Sequence, residues 1–442
     1  MSKSLSYIFT VCVLLLSTQV TSAGRAGHGY GHGPSRSDFK VRAFYGDKVL
    51  DRVVAIDVHK MQLAGTINTQ GLTPYPVDQA GTLDKVYAIT RGSSSIDVIT
   101  ADSLKNLGVI NLQHKPRSGE SYNARLGLTL IAGANKPMTS VIDVINDTVV
   151  GVAGVDVETI QTADNGGTLS SGHPAWLSKD RFVVIDRVAR VIQLYGIKKV
   201  QDTNLDYHWE ITYLDEVATP TSVHHVLHRD LAQLSQYEKH NFYALAEGSA
   251  KEGIHPAILK LRLHKNDRLT LDDSVYLDRF DAAIMSSHHA DFHPDGKHIY
   301  VGSTEGHLFV INRLRMAIKR VIKTGKGTGH TRFVPARNLA IVTNHNDTFL
   351  TVINTKRHRK IKDVQVSGPQ TQGQILQSHT NFVSPDSMYY YAFASDNGFF
   401  FEFNLDSLKV ERTLYTGGAP VQGSFINWDY FSYGGESSST GM

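Results

Sequence analysis

The chain has a single cysteine, Cys12, and it lies inside an apolar N-terminal run. A mature protein that starts after that run has no thiol and no disulfide, which excludes thiolate metal sites, cysteine nucleophiles and iron–sulfur clusters. Long apolar runs are equally scarce. Lys3, the apolar segment from Tyr7 to Leu16 and the small residues Thr21, Ser22 and Ala23 have the three-part layout of a secretory signal peptide, expected over residues 1–23. No later run approaches the roughly 20 residues needed to cross a bilayer, so the sequence predicts an exported protein without a membrane span, periplasmic in a Gram-negative cell. Surplus charge is missing too: a formal net charge of +3 on 442 residues gives no case for nucleic acid as a partner. A Gly-rich phosphate loop, a nucleophile elbow and carboxylates paired at catalytic spacing are all absent. Conventional hydrolase and kinase chemistry therefore has no residues to stand on.

What the chain does have is a long succession of short strands. Residues 24–39 are too rich in glycine and too poor in apolar side chains to repay the entropy of ordering, and they are expected to form a flexible arm carrying His28 and His32. Those two histidines, four apart, suit either loose metal capture or a biased linker. From residue 40 a β-branched strand recurs: Arg52–Val58, Ser95–Ile99, Ser140–Ile145, Val191–Tyr195, Ala257–Leu261, Leu308–Asn312, Leu350–Asn354 and Phe399–Asn404. These copies stand roughly 40 to 65 residues apart, a period that signals propeller blades. Each follows another apolar strand and precedes a more polar one, as in Ala317–Lys323, the gradient that a blade radiating from a buried axis requires.

The ends fit the same scheme. Lys40–Thr69 supplies three strands without an inner one, and Ala419–Ile426 is an inner strand with little after it. Joined, they complete one blade and close the ring, pairing edges that would otherwise be exposed. The expected fold is an all-β, single eight-bladed propeller over residues 40–430, with seven blades as the alternative because the inner strand of blade 2 (about residues 114 to 160) is indistinct. Two separate sandwiches would need a linker, and none interrupts residues 40–430. The segments 229–240 and 247–254 read as loop insertions in blade 4, the first with a short helix over 230–237. Residues 431–442 form a polar tail expected to be disordered.

Five successive blades begin their inner strand with histidine. His173, His225, His289, His330 and His379 each stand three residues before Trp176, His228, Phe292, Phe333 and Phe382, and His224 and His288 double two of them. In a propeller the inner strands start around one end of the central channel, so these residues become neighbours in space. One histidine per blade has a plain structural use, as a hydrogen-bonder at the blade junction. Five in register, two of them doubled, point to a metal site in the channel, with Asp291 as a further candidate ligand. Imidazoles without sulfur suit Zn(II) or Cu(II), whereas calcium or magnesium would need several carboxylates. Three or four histidines make a tetrahedral zinc site; a larger set implies two sites or a multinuclear copper centre. His114, His293 and His298 read as junction or surface residues, and His345, in a turn between two strands, as solvated.

The run Phe292–Val301, Phe-His-Pro-Asp-Gly-Lys-His-Ile-Tyr-Val, and the Thr-Val-Ile-Asn strand at 351–354 resemble the YVTN-type propeller repeats of exported prokaryotic proteins. An exported eight-bladed propeller with a His-bearing arm, channel histidines and no mature cysteine is also similar to the periplasmic zinc metallochaperones of the AztD type. That resemblance implies Zn(II) held by the propeller and handed to the solute-binding protein of a zinc ABC importer, by a monomer that is not an enzyme. Two further resemblances come from redox enzymes. Nitrous oxide reductase builds a copper cluster from propeller histidines, and the haem d1 propellers have eight blades and channel histidines; this chain has neither a copper-binding cysteine domain nor a cytochrome domain. A metal-free propeller that binds another protein is the remaining alternative.

Overall fold

A computed structural model describes residues 39–79, 84–158, 169–203, 206–227, 240–287, 289–368 and 375–428. Residues 24–38 of the expected arm, the short helix over 230–237, the tail and the residues His28, His32 and His288 lie outside them, whereas Phe39, counted with the arm, is buried in the core.

The described residues form eight four-stranded antiparallel sheets, so the ring has eight blades and not seven. Blade 5 shows why these sequences make this unit. Its second and third strands, His298–Ser303 and His307–Asn312, are β-branched and aromatic and buried on both faces, as strands sandwiched between neighbouring blades must be. Its outer strand, Ala317–Lys323, is half solvated and places Lys and Arg between Ile and Val. In blade 7 the outer strand Lys409–Tyr415 alternates exposed and half-buried positions over its whole length.

Blade 8 is the closure. Its inner strand, Pro420–Asn427, comes from the C-terminal end and pairs antiparallel with Val41–Asp47, from Val41 opposite Asn427 to Asp47 opposite Pro420. The indistinct inner strand of blade 2 is Pro116–Asn123, whose register shifts twice against Leu128–Gly133; those irregularities broke its pattern in the sequence.

The apolar core is distributed between blades. Val310 and Tyr300 of blade 5 meet Ala340 and Val342 of blade 6. Tyr45 and Phe44 of blade 8 face opposite ways, Tyr45 toward Phe393 and Phe400 of blade 7, Phe44 toward Val77 and Val86 of blade 1. Each blade is thus held by both neighbours, and opening the ring at blade 8 would expose two such contacts. Among the described residues no helix is long and apolar enough to cross a membrane.

Candidate metal centre

Strand direction decides which residues meet in the channel. Each blade's first strand starts at one end, its second returns there, and the turn between the second and third strands therefore shares that end. The starts of the inner strands bring His173, His224, His225, His289, His330 and His379 to it. His345 joins them from the turn after Leu339–Asn344 in blade 6. The sequence suggested a solvated turn at His345; the structure overturns this, because the ring is only 3% exposed.

The histidines divide into two groups. His289, His330, His345 and His379 form a quartet from blades 5, 6 and 7. Their ring centres lie 3.6 Å (His289–His330), 4.1 Å (His345–His379), 5.4 Å (His289–His345), 5.5 Å (His289–His379), 5.7 Å (His330–His379) and 6.1 Å (His330–His345) apart. One nitrogen from each of His289, His330 and His345 lies within 4.8 Å of the other two. Nitrogens about 2.0 Å from a tetrahedral metal would put imidazole centres about 5 Å apart, near the middle of that range. His345 Nδ1 donates to the Gln377 carbonyl at 3.0 Å, which fixes the proton on Nδ1 and leaves the Nε2 lone pair for a metal. Burial pushes the His345 pKa down to about 4, against the pull of that carbonyl, so the ring is neutral at physiological pH. His379 Nδ1 lies 3.3 Å from the Tyr75 hydroxyl of blade 1. His289 and His345 are buried while His330 and His379 are half-buried, so the quartet has an inner and an outer pair.

The second group is tied up by protein. His224 Nδ1 lies 2.7 Å from Glu247, a carboxylate with no solvent exposure that also accepts from Arg187 at 2.5 Å. Arg117, itself 2% exposed, sets a guanidinium nitrogen 3.3 Å and 3.4 Å from the two nitrogens of His224. His173 Nδ1 is 2.9 Å from Ser118 Oγ, and His225 Nε2 donates to the Ala290 carbonyl at 3.3 Å. The backbones join here as well, His173 N–H donating to His224 O at 2.8 Å. A cation beside His224 would face the Arg117 charge, so His173, His224 and His225 have the character of a blade junction. The two groups touch through His224 and His289, whose ring centres are 5.8 Å apart.

Asp291 stands apart from both. Its Oδ2 accepts from the Thr331 amide at 2.8 Å, across the junction of blades 5 and 6, and burial raises its pKa to about 7. The carboxylate that serves the channel is instead Glu247, in the segment 247–254 that read as an insertion. Both it and His345 have the same signature in hindsight: each follows a second strand, so each returns to the channel end.

No protein-family model matches the chain, and no curated protein matches it in sequence. Solved structures do. Dihydro-heme d1 dehydrogenase NirN, in complex with DHE, is similar with a TM-score of 0.63 at 12% identity, over 90% of this chain and 77% of NirN. Apo AztD from Citrobacter koseri is similar with a TM-score of 0.58 at 13% identity, over 88% of this chain and 99% of AztD. BamB from Moraxella catarrhalis gives 0.54 at 12% identity, over 78% of this chain and 89% of BamB. The chain therefore shares its propeller fold with proteins of differing kinds, and it carries a buried histidine cluster capable of holding a metal ion.

Proposed function

We propose that this is a periplasmic zinc-binding propeller that delivers Zn(II) to the solute-binding protein of a zinc ABC importer. The observation that carries the reading is the convergence of His289, His330 and His345, three imidazoles from two blades that each bring a nitrogen within 4.8 Å of the other two, with His379 packed beside them from a third blade. Zinc is cargo here, and the donor set suits it: nitrogen only, neutral at His345, with no redox partner needed. The likeness to apo AztD and the signal-like residues 1–23 support the periplasmic setting. Release follows from the unequal burial. A recipient's ligands reach the half-buried His330 and His379 first, and replacing those two leaves zinc on His289 and His345 alone, a pair too small to retain it.

A redox reading rests on the likeness to NirN together with histidines in the channel. It predicts colour, because a d1 haem or a copper cluster absorbs visible light and zinc does not. A visible spectrum with metal analysis of protein purified from its native periplasm separates the readings. Colourless protein containing zinc supports the carrier; a chromophore in stoichiometric amount overturns it.

A further inference from the structure

The opposite face of the propeller carries another histidine group, between blades 5 and 6. The turn that ends the inner strand His289–Phe292 lies at the far end of the blade, roughly 13 Å from His289 at about 3.3 Å per residue. It holds His293 and His298 around Asp295. His358 reaches them from the turn between Phe349–Asn354 and Arg359–Gln365 in blade 6, which lies at that same far end.

All three imidazoles are buried, His293 and His298 against blade 6 and His358 against blade 5. Their ring centres are 4.6 Å (His298–His358), 5.3 Å (His293–His358) and 5.8 Å (His293–His298) apart, close to the value of about 5 Å for imidazoles on one tetrahedral ion. An oxygen stands at each Nδ1. Asp295 places Oδ1 3.0 Å from His293 and Oδ2 2.7 Å from His298, and the Tyr300 hydroxyl is 2.8 Å from His358. Carboxylate oxygens only accept, so the Asp295 contact holds the His298 proton on Nδ1 and leaves that ring's lone pair on Nε2, whereas the Asp295 amide donates to His293 Nδ1 at 3.1 Å and places the His293 proton on Nε2.

The Nε2 atoms show where a cation would sit. The Lys319 ammonium, on the exposed outer strand of blade 5, lies 3.0 Å from His298 Nε2 and 3.1 Å from His358 Nε2. An ammonium only donates, so both nitrogens offer lone pairs to one point that already holds positive charge. The His293 ring packs against both of the others, and it joins a metal through Nε2 by giving up that nitrogen's proton to solvent.

We propose that His293, His298 and His358 form a second site for a divalent transition metal, with Lys319 as a plug that swings into solvent when the ion enters. Asp295 and Tyr300 orient the rings from behind. The site shares no residue with the channel quartet, so it stands or falls independently of the carrier reading.

The test is Co(II) titration of the full chain with the channel disabled by His289→Ala and His345→Ala, read by the visible bands of tetrahedral Co(II). One equivalent is expected to bind. His358→Gln in that background removes the bands, and Lys319→Met tightens binding on the order of tenfold by removing the opposing charge. Absence of tetrahedral Co(II) in a folded channel-disabled chain overturns the site, and unchanged affinity in Lys319→Met overturns the plug. Should the channel-disabled chain fail to fold, the wild-type chain serves. There His358→Gln lowers bound Co(II) by one equivalent, and an unchanged stoichiometry overturns the proposal.

Discussion

The imidazole of His345 lies so close to Gly329 that a β-carbon on residue 329 would stand 2.1 Å from its Nε2. Residue 329 precedes His330 in the inner strand of blade 6, where the register shifts between Thr328 and Thr331. A glycine is needed there because the ring occupies the space of a side chain. Gly329→Ala is expected to push His345 out of the quartet, costing about 1–3 kcal/mol in stability and lowering zinc affinity at least tenfold. Thermal melts and competition titration check both.

The buried pair of Arg187 and Glu247 braces the other half of the channel. Removing one partner strands a buried charge, so Glu247→Gln is expected to cost about 3–5 kcal/mol. Zinc affinity should change less than tenfold, because His224, the ring that Glu247 holds, lies outside the quartet. Denaturant unfolding beside a zinc titration separates the two effects.

His345 gives the metal-free protein a pH signature. Its folded pKa of about 4 lies below the ordinary value of 6.5, so between those values the unfolded chain binds the proton and the folded chain does not. Its neutral burial costs nothing above pH 6.5 and opposes folding increasingly as pH falls toward 4, by on the order of 3 kcal/mol at the limit. Glutamine bears no such proton. The stability of His345→Gln relative to wild type is therefore expected to rise as pH falls from 6.5 to 4, and parallel melts across that range test it.

Asp291 titrates with the opposite sign. Burial raises its pKa to about 7 from 3.8, so the folded chain holds a proton that the unfolded chain has lost, and wild-type stability falls as pH rises through that window. Asp291→Asn lacks this proton, and its stability relative to wild type is expected to rise from pH 4 to pH 7. Zinc affinity should be unchanged, since this carboxylate faces Thr331. A drop of tenfold or more would return Asp291 to the ligand set.

Much of this was legible in the sequence because a propeller repeats itself. Strand periodicity, the polar outer strands and the split blade 8 each follow from local residue pattern, and His173, His225, His289, His330 and His379 fell into register once the inner strands were aligned. The separation of that register into two groups was not legible. It depends on Arg117 and Glu247, which reach the channel from blades 2 and 4 and have no fixed offset from any histidine. His345 was missed because turns are usually solvated, and this one is covered by Gln377 and Leu376 of the following segment. Seen from the sequence, His293 and His298 were junction or surface residues; their partner His358 lies about sixty residues further on, brought alongside by the neighbouring blade.

The most direct test of the channel quartet is zinc titration of the wild-type chain against the paired variant His289→Ala, His330→Ala, with a competing chelator to fix affinities. The account predicts that the pair removes one equivalent of tightly bound zinc while the protein stays folded by circular dichroism. A folded paired variant that binds zinc with wild-type stoichiometry and affinity would contradict it.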